Sequence, residues 1–477
     1  MISFNDIPNN LRVPLTYIEF DNTKAVTGTP GIQYKLLVIG KTYQSTGDRI
    51  SSNWDEPVLF TRPDEADRRC GQGSQLALML KAALGVNPGV EIWGLGVGGA
   101  EANMGTLSIN GAATEAGTVA LSVAGKRYAV AVAVGMDAEG VCNALETVLV
   151  GDSPVIGTAS GEGTAAQLTL KAKYNDDTIH STGFYVEEGV AGLALEYTLN
   201  PVAPNNPSIE SIIDRLGDVW WNAMVLPWSD EDTLATLKTE LLGRFGPLRM
   251  IDGLVFTAGL FATNDNSFLH THLDISNAVA ASFVVAATNA AVVAKSLSID
   301  PARPLQTLAL PGIRAKPPTY RDTKQERNVK LHNGVSTTFV DAGGNVCIER
   351  QITTYTQNAL GAQDPSYLDV ETLATLSYLR YSTRTRINLR FPRHKLADDG
   401  TLVAPGQAMV TPSIIKAELV ALAGEWAEMG LIEDLAGFKD SLVVQRNASD
   451  RNRVDVLASP NLVNQLRIFA EQIQFIL

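Results

Sequence analysis

Gln33-Tyr34-Lys35-Leu36-Leu37-Val38-Ile39-Gly40 and, further on, Val90-Glu91-Ile92-Trp93-Gly94 are short apolar runs that each end at a glycine. Between them, Asp64 to Leu84 sets Leu76, Leu80, Ala83 and Leu84 at helical spacing. Strand, helix, strand with short connections reads as part of a parallel sheet. The alternation returns later. Ser208–Leu216 reads as a helix opened by a serine cap, and Trp220–Leu226 as a strand. Asp230–Phe245 is a helix with acids in its first turn, and Met250–Phe261 another strand. The fold class is α/β.

The stretch between the two halves is different. From about Gly94 to Val202 the chain is rich in Gly, Ala, Thr and Val. Thr118–Val123 and Tyr128–Val134 form a hairpin turning at Ala124-Gly125. A helix capped by Asp137 follows, then strands at Gln167–Lys173 and Leu193–Leu199. This is a β-rich (α+β) insertion that splits a layered core. The expected organisation is an N-terminal arm at 1–31, core at 32–102, insertion at 103–202, core at 203–330, a C-terminal core domain at 331–460 and a C-terminal arm at 461–477. The last domain holds strands Val335–Asp341 and Val346–Thr354 and helices Leu368–Arg390 and Ser413–Met429. The first arm offers one strand-like run, Tyr17-Ile18-Glu19-Phe20. In the last, Phe469, Ile473, Phe475 and Leu477 alternate as in a strand, while Leu462, Leu466, Phe469 and Ile473 also suit a helix. Either way the end is apolar, where chain ends are usually polar and frayed. It needs a surface to lie against.

The 477 residues are 45% hydrophobic and 19% charged, enough apolar content for several cores and too much for a disordered chain. Asp and Glu exceed Lys and Arg by 51 to 38, a net charge of −13, which disfavours a phosphate backbone as partner; no nucleic acid is expected. Cys70, Cys142 and Cys347 are far apart, so neither a disulfide framework nor a cysteine-rich zinc site is encoded. The uncharged run Ile275–Ala294 is long enough to cross a bilayer. Its Ser276, Asn277, Ser282, Thr288 and Asn289 make it a buried core helix instead, with no membrane insertion expected.

Four fragments imitate chemistry. Gly94-Leu95-Gly96-Val97-Gly98-Gly99 is a literal GxGxxG, but a strand, not the helix a dinucleotide site requires, follows it. It reads as a flexible junction hinge. His270-Thr271-His272 with Asp274 reads as a surface or interface pair in a loop-to-helix region, lacking further ligands for a metal shell. No GxSxG elbow supports a hydrolase, and Gly71-Gln72-Gly73-Ser74-Gln75 is a helix start. The acid pairs Asp176-Asp177, Glu187-Glu188 and Asp398-Asp399 read as solvated turns. No catalytic, cofactor or metal site is expected.

Leu331-His332-Asn333-Gly334-Val335, then Gly343-Gly344-Asn345-Val346-Cys347-Ile348-Glu349-Arg350-Gln351-Ile352-Thr353-Thr354-Tyr355, resemble contractile tail sheath proteins of bacteriophages. Arg390-Phe391-Pro392-Arg393-His394-Lys395-Leu396-Ala397-Asp398-Asp399-Gly400 looks like the family too. With Ala124-Gly125-Lys126-Arg127-Tyr128 in the insertion, the chain is most similar to sheaths of Mu-like phages. The resemblance implies a structural, non-enzymatic subunit of a virion, assembled in the host cytoplasm. It implies a homo-oligomer, hexameric rings stacked helically around a tail tube, that shortens to drive the tube through a bacterial envelope. The tail tube, baseplate and tail terminator proteins are its implied partners. In that setting Tyr17, Ile18, Phe20, Phe469, Ile473, Phe475 and Leu477 suit strand exchange between subunits. Arg380, Arg384, Arg386, Arg390, Arg393 and Lys395 suit contact with the tube or a neighbour. A non-viral injection sleeve, and an enzyme using Gly94–Gly99 or a cryptic triad, are the alternative readings.

Overall fold

A computed structural model of the chain describes residues 13, 16, 31–43, 54–182, 184–200, 205–402 and 407–476. The described residues divide into two compact units: residues 33–377 with 462–476, and 378–461 with residues 31–32. The architecture is mixed α/β, as the alternation of strands and helices led us to expect.

The larger unit is built on a ten-stranded sheet. Its strands are β1 (Lys35–Thr42), β2 (Val58–Phe60), β3 (Glu91–Gly98), β4 (Ala223–Val225), β5 (Leu254–Gly259), β6 (His270–Asp274), β7 (Ala278–Val279), β8 (Ala309–Ala315), β9 (Val335–Val340) and β10 (Asn345–Arg350). Their order is β7-β8-β10-β9-β6-β5-β4-β1-β3-β2. The centre, from β9 through β6, β5, β4 and β1 to β3, is parallel; β2 and β7, β8 and β10 run antiparallel at the two sides. Parallel strands are covered on both faces, which is why β1 and β5 are buried along nearly their whole length, β1 around the apolar run Leu36–Ile39.

Helix α1 (Gln75–Val86) lies on one face. Ser74 caps it, its Oγ accepting from the Ala77 amide at 3.1 Å, and Asn87 closes it in the left-handed conformation. The stretch Asp64–Leu84 holds two helices, and the second begins at Ser74-Gln75, as the reading of Gly71–Gln75 as a helix start anticipates. Gly71 and Gly73, at φ 88° and 72°, end the first helix (Pro63–Cys70) before α1 begins. Helix α2 (Ser282–Ile299) holds the uncharged run from Ser282 onward, while Ile275–Ala281 lie before it and include β7, and it is the one described helix long and apolar enough to cross a membrane. It is mostly buried, with Phe283, Ala286, Ala287, Ala290 and Val293 fully inside the core.

The GxGxxG is not a hinge. Gly94–Gly98 belong to β3, paired residue by residue with β1 and, at Gly94, with β2. A Cβ on Gly94 would lie 2.8 Å from the Phe60 ring and 3.1 Å from Leu80, so this glycine makes room for neighbours. The chain then enters another strand, Ala102–Gly111, and no helix amides face the turn.

Residues 102–199 form two further antiparallel sheets around one helix, Ala138–Val148. Four strands run in the order 193–199, 102–111, 165–172, 155–162, and three in the order 126–132, 117–123, 185–188. The hairpin turn falls at Ala124-Gly125, both at positive φ, and Asp137 caps the helix through the Gly140 amide. One apolar cluster runs without a break from Leu36 and Leu76 to Leu107, Leu145 and Leu168. Buried polar bonds hold the junction. Lys41 Nζ donates to Asn175 Oδ1 at 2.7 Å, within this region, and to the Asn205 carbonyl at 2.6 Å, just after it. Asp176 is fully buried, not solvated, and accepts from Gln75 and from Trp228 Nε1.

In the smaller unit, the second half of α3 (Val370–Arg390) packs on α4 (Pro412–Glu428), where Trp426 Nε1 donates to Ser382 Oγ at 2.9 Å inside the contact. A two-stranded ribbon, Val443–Arg446 with Val454–Leu457, follows.

Gly94→Ala should destabilise the protein by about 1–3 kcal/mol through overpacking against Phe60 and Leu80. Urea unfolding checks this; an unchanged midpoint would show that β3 has slack at this position.

Candidate functional site

The exposed C-terminal segment is the feature that a folded core does not account for. Residues 463–476 belong to no helix and no sheet. Ile468 is 82% exposed, Phe469 81%, Ile473 76%, Phe475 79% and Ile476 100%. Leaving one such side chain in water forgoes roughly 1.5–3 kcal/mol relative to burial. The surface this end needs is therefore not supplied by the unit that carries it. Leu477, and the first-arm residues Tyr17, Ile18 and Phe20, lie outside the described residues.

The root of the same segment is held firmly. Arg467 Nη2 lies 2.9 Å from Glu371 Oε2 and 3.1 Å from Asp369 Oδ1. Glu371, in the first turn of α3, is fully buried, and its other oxygen accepts from the Leu305 amide at 2.9 Å. Burial pushes the Glu371 carboxyl above its ordinary pKa, against the opposing pull of Arg467. Asp369 is also gripped by Arg350, at 3.1 and 3.0 Å. Gln306 Nε2 donates to the Leu466 carbonyl at 3.2 Å.

The basic run on α3 is of two kinds. Arg386 is buried between α3 and α4 and bonds Glu418 at 2.9 Å and both oxygens of Glu425, so its charge is spent inside its own unit. Arg390 shares Glu418 at 3.3 Å with half its side chain exposed. Arg380 and Arg384 are half-buried, and Arg393 and Lys395 are exposed. The sequence spacing showed the cluster but not this division.

His270 and His272 are not a surface pair in a loop-to-helix region. They lie in β6, where the i, i+2 spacing of a strand turns both rings to one face. Thr257 Oγ1, on β5, sits 2.7 Å from His270 Nε2 and 2.7 Å from His272 Nδ1. Its single proton lets it donate to one ring and accept from the other. Asp265 Oδ2 lies 2.9 Å from His270 Nδ1 and accepts from Thr354 at 3.1 Å. The order Asp, His, Thr imitates a hydrolytic triad, yet all three of Thr257, His270 and His272 are at most 2% exposed, with no open face for a substrate. Its evident work is to join β5, β6 and the segment after β10. Burial, with His270 beside it, lowers the His272 pKa to about 3. Burial opposes the Asp265 carboxylate, but His270 and hydrogen bonds from Thr263 and Thr354 prevail and hold it at about 2. Among the described residues, no group of three or more His, Cys, Asp or Glu gathers to hold a metal ion.

A wide α/β core, with its polar network sealed and an apolar end left bare, is the form of a subunit made for assembly. The chain belongs to the phage tail sheath family and is a structural component of a contractile tail. Residues 203–354 match the phage tail sheath protein central domain and 362–476 the phage tail sheath C-terminal domain. The Mu-like prophage FluMu tail sheath protein of Haemophilus influenzae is 43% identical over the full length of both chains. Among solved structures, the chain is similar to sheath tail proteins of Desulfitobacterium hafniense (TM-score 0.49, 12% identity, 94% of this chain and 100% of that one) and Listeria innocua (0.48, 12%, 91% and 96%).

His272 sets an acid response. Below pH 6.5 the unfolded chain takes up a proton at this residue that the folded chain refuses until about pH 3, so stability falls with pH across that interval. His272→Leu should flatten the dependence by up to about 1.4 kcal/mol per pH unit. Urea unfolding of both proteins at pH 7 and pH 5 measures it; parallel losses in the two would remove His272 as the cause.

Proposed function

We propose that the subunit polymerises as hexameric rings stacked helically around a tail tube, and that the sleeve shortens to drive the tube through a bacterial envelope. The bare apolar end carries this reading. Residues 468–476 span roughly 30 Å when extended, enough to reach an adjacent copy. Phe469, Ile473, Phe475 and Leu477 then fall on one face of a strand, and backbone groups supply the ladder. Tyr17, Ile18 and Phe20 play the same part at the other end. Links of this kind survive while the cores move as rigid bodies, so the extended sleeve is a metastable arrangement whose core contacts improve on shortening.

The sleeve joins a tail tube, a baseplate and a tail terminator, and is assembled in the host cytoplasm. The subunit works without catalysis or cofactor; its triad-like residues are sealed in the sheet. The full-length likeness to a prophage sheath supports a phage tail over a non-viral injection sleeve. Residues 103–202 face outward and contribute little to polymerisation. Their base shares a core with the sheet, so the fair probe is the exposed strand face, with Thr158→Arg and Gln167→Arg together. Arg390, Arg393 and Lys395 are the cations that meet an acidic tube or neighbour.

Ending the chain after Arg467 should leave a folded subunit that forms no sleeves, as seen by negative-stain microscopy and thermal unfolding. Ordered sleeves from the shortened chain would refute strand exchange at this end. Neutral substitution of Arg393 and Lys395 should weaken association with the tube at low salt and remove most of its salt dependence; indifference to both would exclude the electrostatic seat.

A further inference from the structure

The change along the C-terminal segment is abrupt. Up to Arg467, side chains and carbonyls engage the unit's own core: Gln465 Nε2 approaches the Ala302 carbonyl at 3.4 Å, Gln306 binds the Leu466 carbonyl, and Arg467 reaches Glu371 and Asp369. From Ile468 to Ile476 every residue is exposed. We propose that Arg467 is a clasp that fastens the root of the arm to its own core, so that the segment handed to a neighbouring copy begins at Ile468. This rests on the strand-exchange reading above and fixes where exchange starts.

The argument is one of charge. Glu371 has no exposure to water, and apart from Arg467 it is met by one backbone amide. Asp369 keeps Arg350 if Arg467 departs; Glu371 keeps no cation among the described residues. A buried carboxylate stripped of its partner is strongly unfavourable, so peeling the arm past residue 467 is opposed, while lifting residues 468–476 breaks no hydrogen bond or ion pair among the described residues. The geometry adds a second property. Nη2 alone meets both acids, donating a hydrogen bond to Asp369 Oδ1 and pairing with Glu371 Oε2 by charge, and the buried Nε and Nη1 have no acceptor among the described residues. The attachment is a single-nitrogen pivot, not a bidentate fork, so the chain beyond it can swing without releasing the root. The first turn of α3 thereby receives any pull exerted through the arm.

Nitroxide labels on the unassembled full-length subunit test this. The native cysteines Cys70, Cys142 and Cys347 are all buried, so a label goes to an introduced site, Asn464→Cys or Gln474→Cys. The expected spectra are broad and immobilised at 464 and narrow at 474. Arg467→Ala should narrow the 464 spectrum to that of 474 and leave 474 unchanged, while Arg467→Lys keeps it broad. Glu371→Gln, close in shape to the original, should loosen 464 in the same direction, and thermal unfolding verifies that each core is intact. A narrow 464 spectrum in the parent, or a broad one in both Arg467→Ala and Glu371→Gln, would overturn the clasp. Strand exchange stands or falls separately, on whether the chain ended after Arg467 still forms sleeves.

Discussion

A charge sealed from water must be answered by an opposite charge or by polar groups aimed at it, and this chain uses that constraint to tie together segments distant in sequence. Lys41 gathers the two segments at residues 175 and 205. Arg386 joins α3 to Glu418 and Glu425 of α4. Arg467 fixes the end of the chain to the start of α3. Apolar packing is non-directional and tolerates sliding. Buried ionic and polar bonds lose most of their value when displaced, so they set registers that packing alone would leave loose.

Function follows from what this makes rigid and what it leaves free. The parallel centre of the sheet, the Asp265–His270–Thr257–His272 chain and the buried junction at Asp176 hold the larger unit as one body. The bare segment after Arg467 is the opposite extreme, exposed from Ile468 to Ile476 and with no hydrogen bond or ion pair to its own core among the described residues. On the strand-exchange reading proposed above, the sleeve draws on both properties: bodies that move without deforming, and connectors that do not part while they move.

Much of this was legible before the structure. The runs at 33–40 and 90–94 announced the parallel sheet, Asp137 and Ser208 announced their helices, and Ala124-Gly125 its turn. What escaped depended on tertiary partners. The glycines of β3 looked like a hinge because the Phe60 and Leu80 side chains they accommodate come from other elements. Asp176 looked solvated because Gln75 and Trp228 are far away in sequence. His270 and His272 had a strand's alternation around Thr271, but flanking polar residues suggested a loop. The apolar tail was evident from composition, whereas its sharp division at Arg467 was not, since nothing near Glu371 in sequence names its cation.

The borders of the ten-stranded sheet have a further significance. β7 has two residues and β2 three, and at the β7 side the Gly125 turn lies so close that a Cβ there would meet the Val279 carbonyl at 2.1 Å. A broad sheet with long bare margins would invite endless side-by-side stacking into fibres. Here the margins are too short, and on one side too crowded, to template another sheet. Lateral pairing of two such sheets, border to border, is thereby disfavoured.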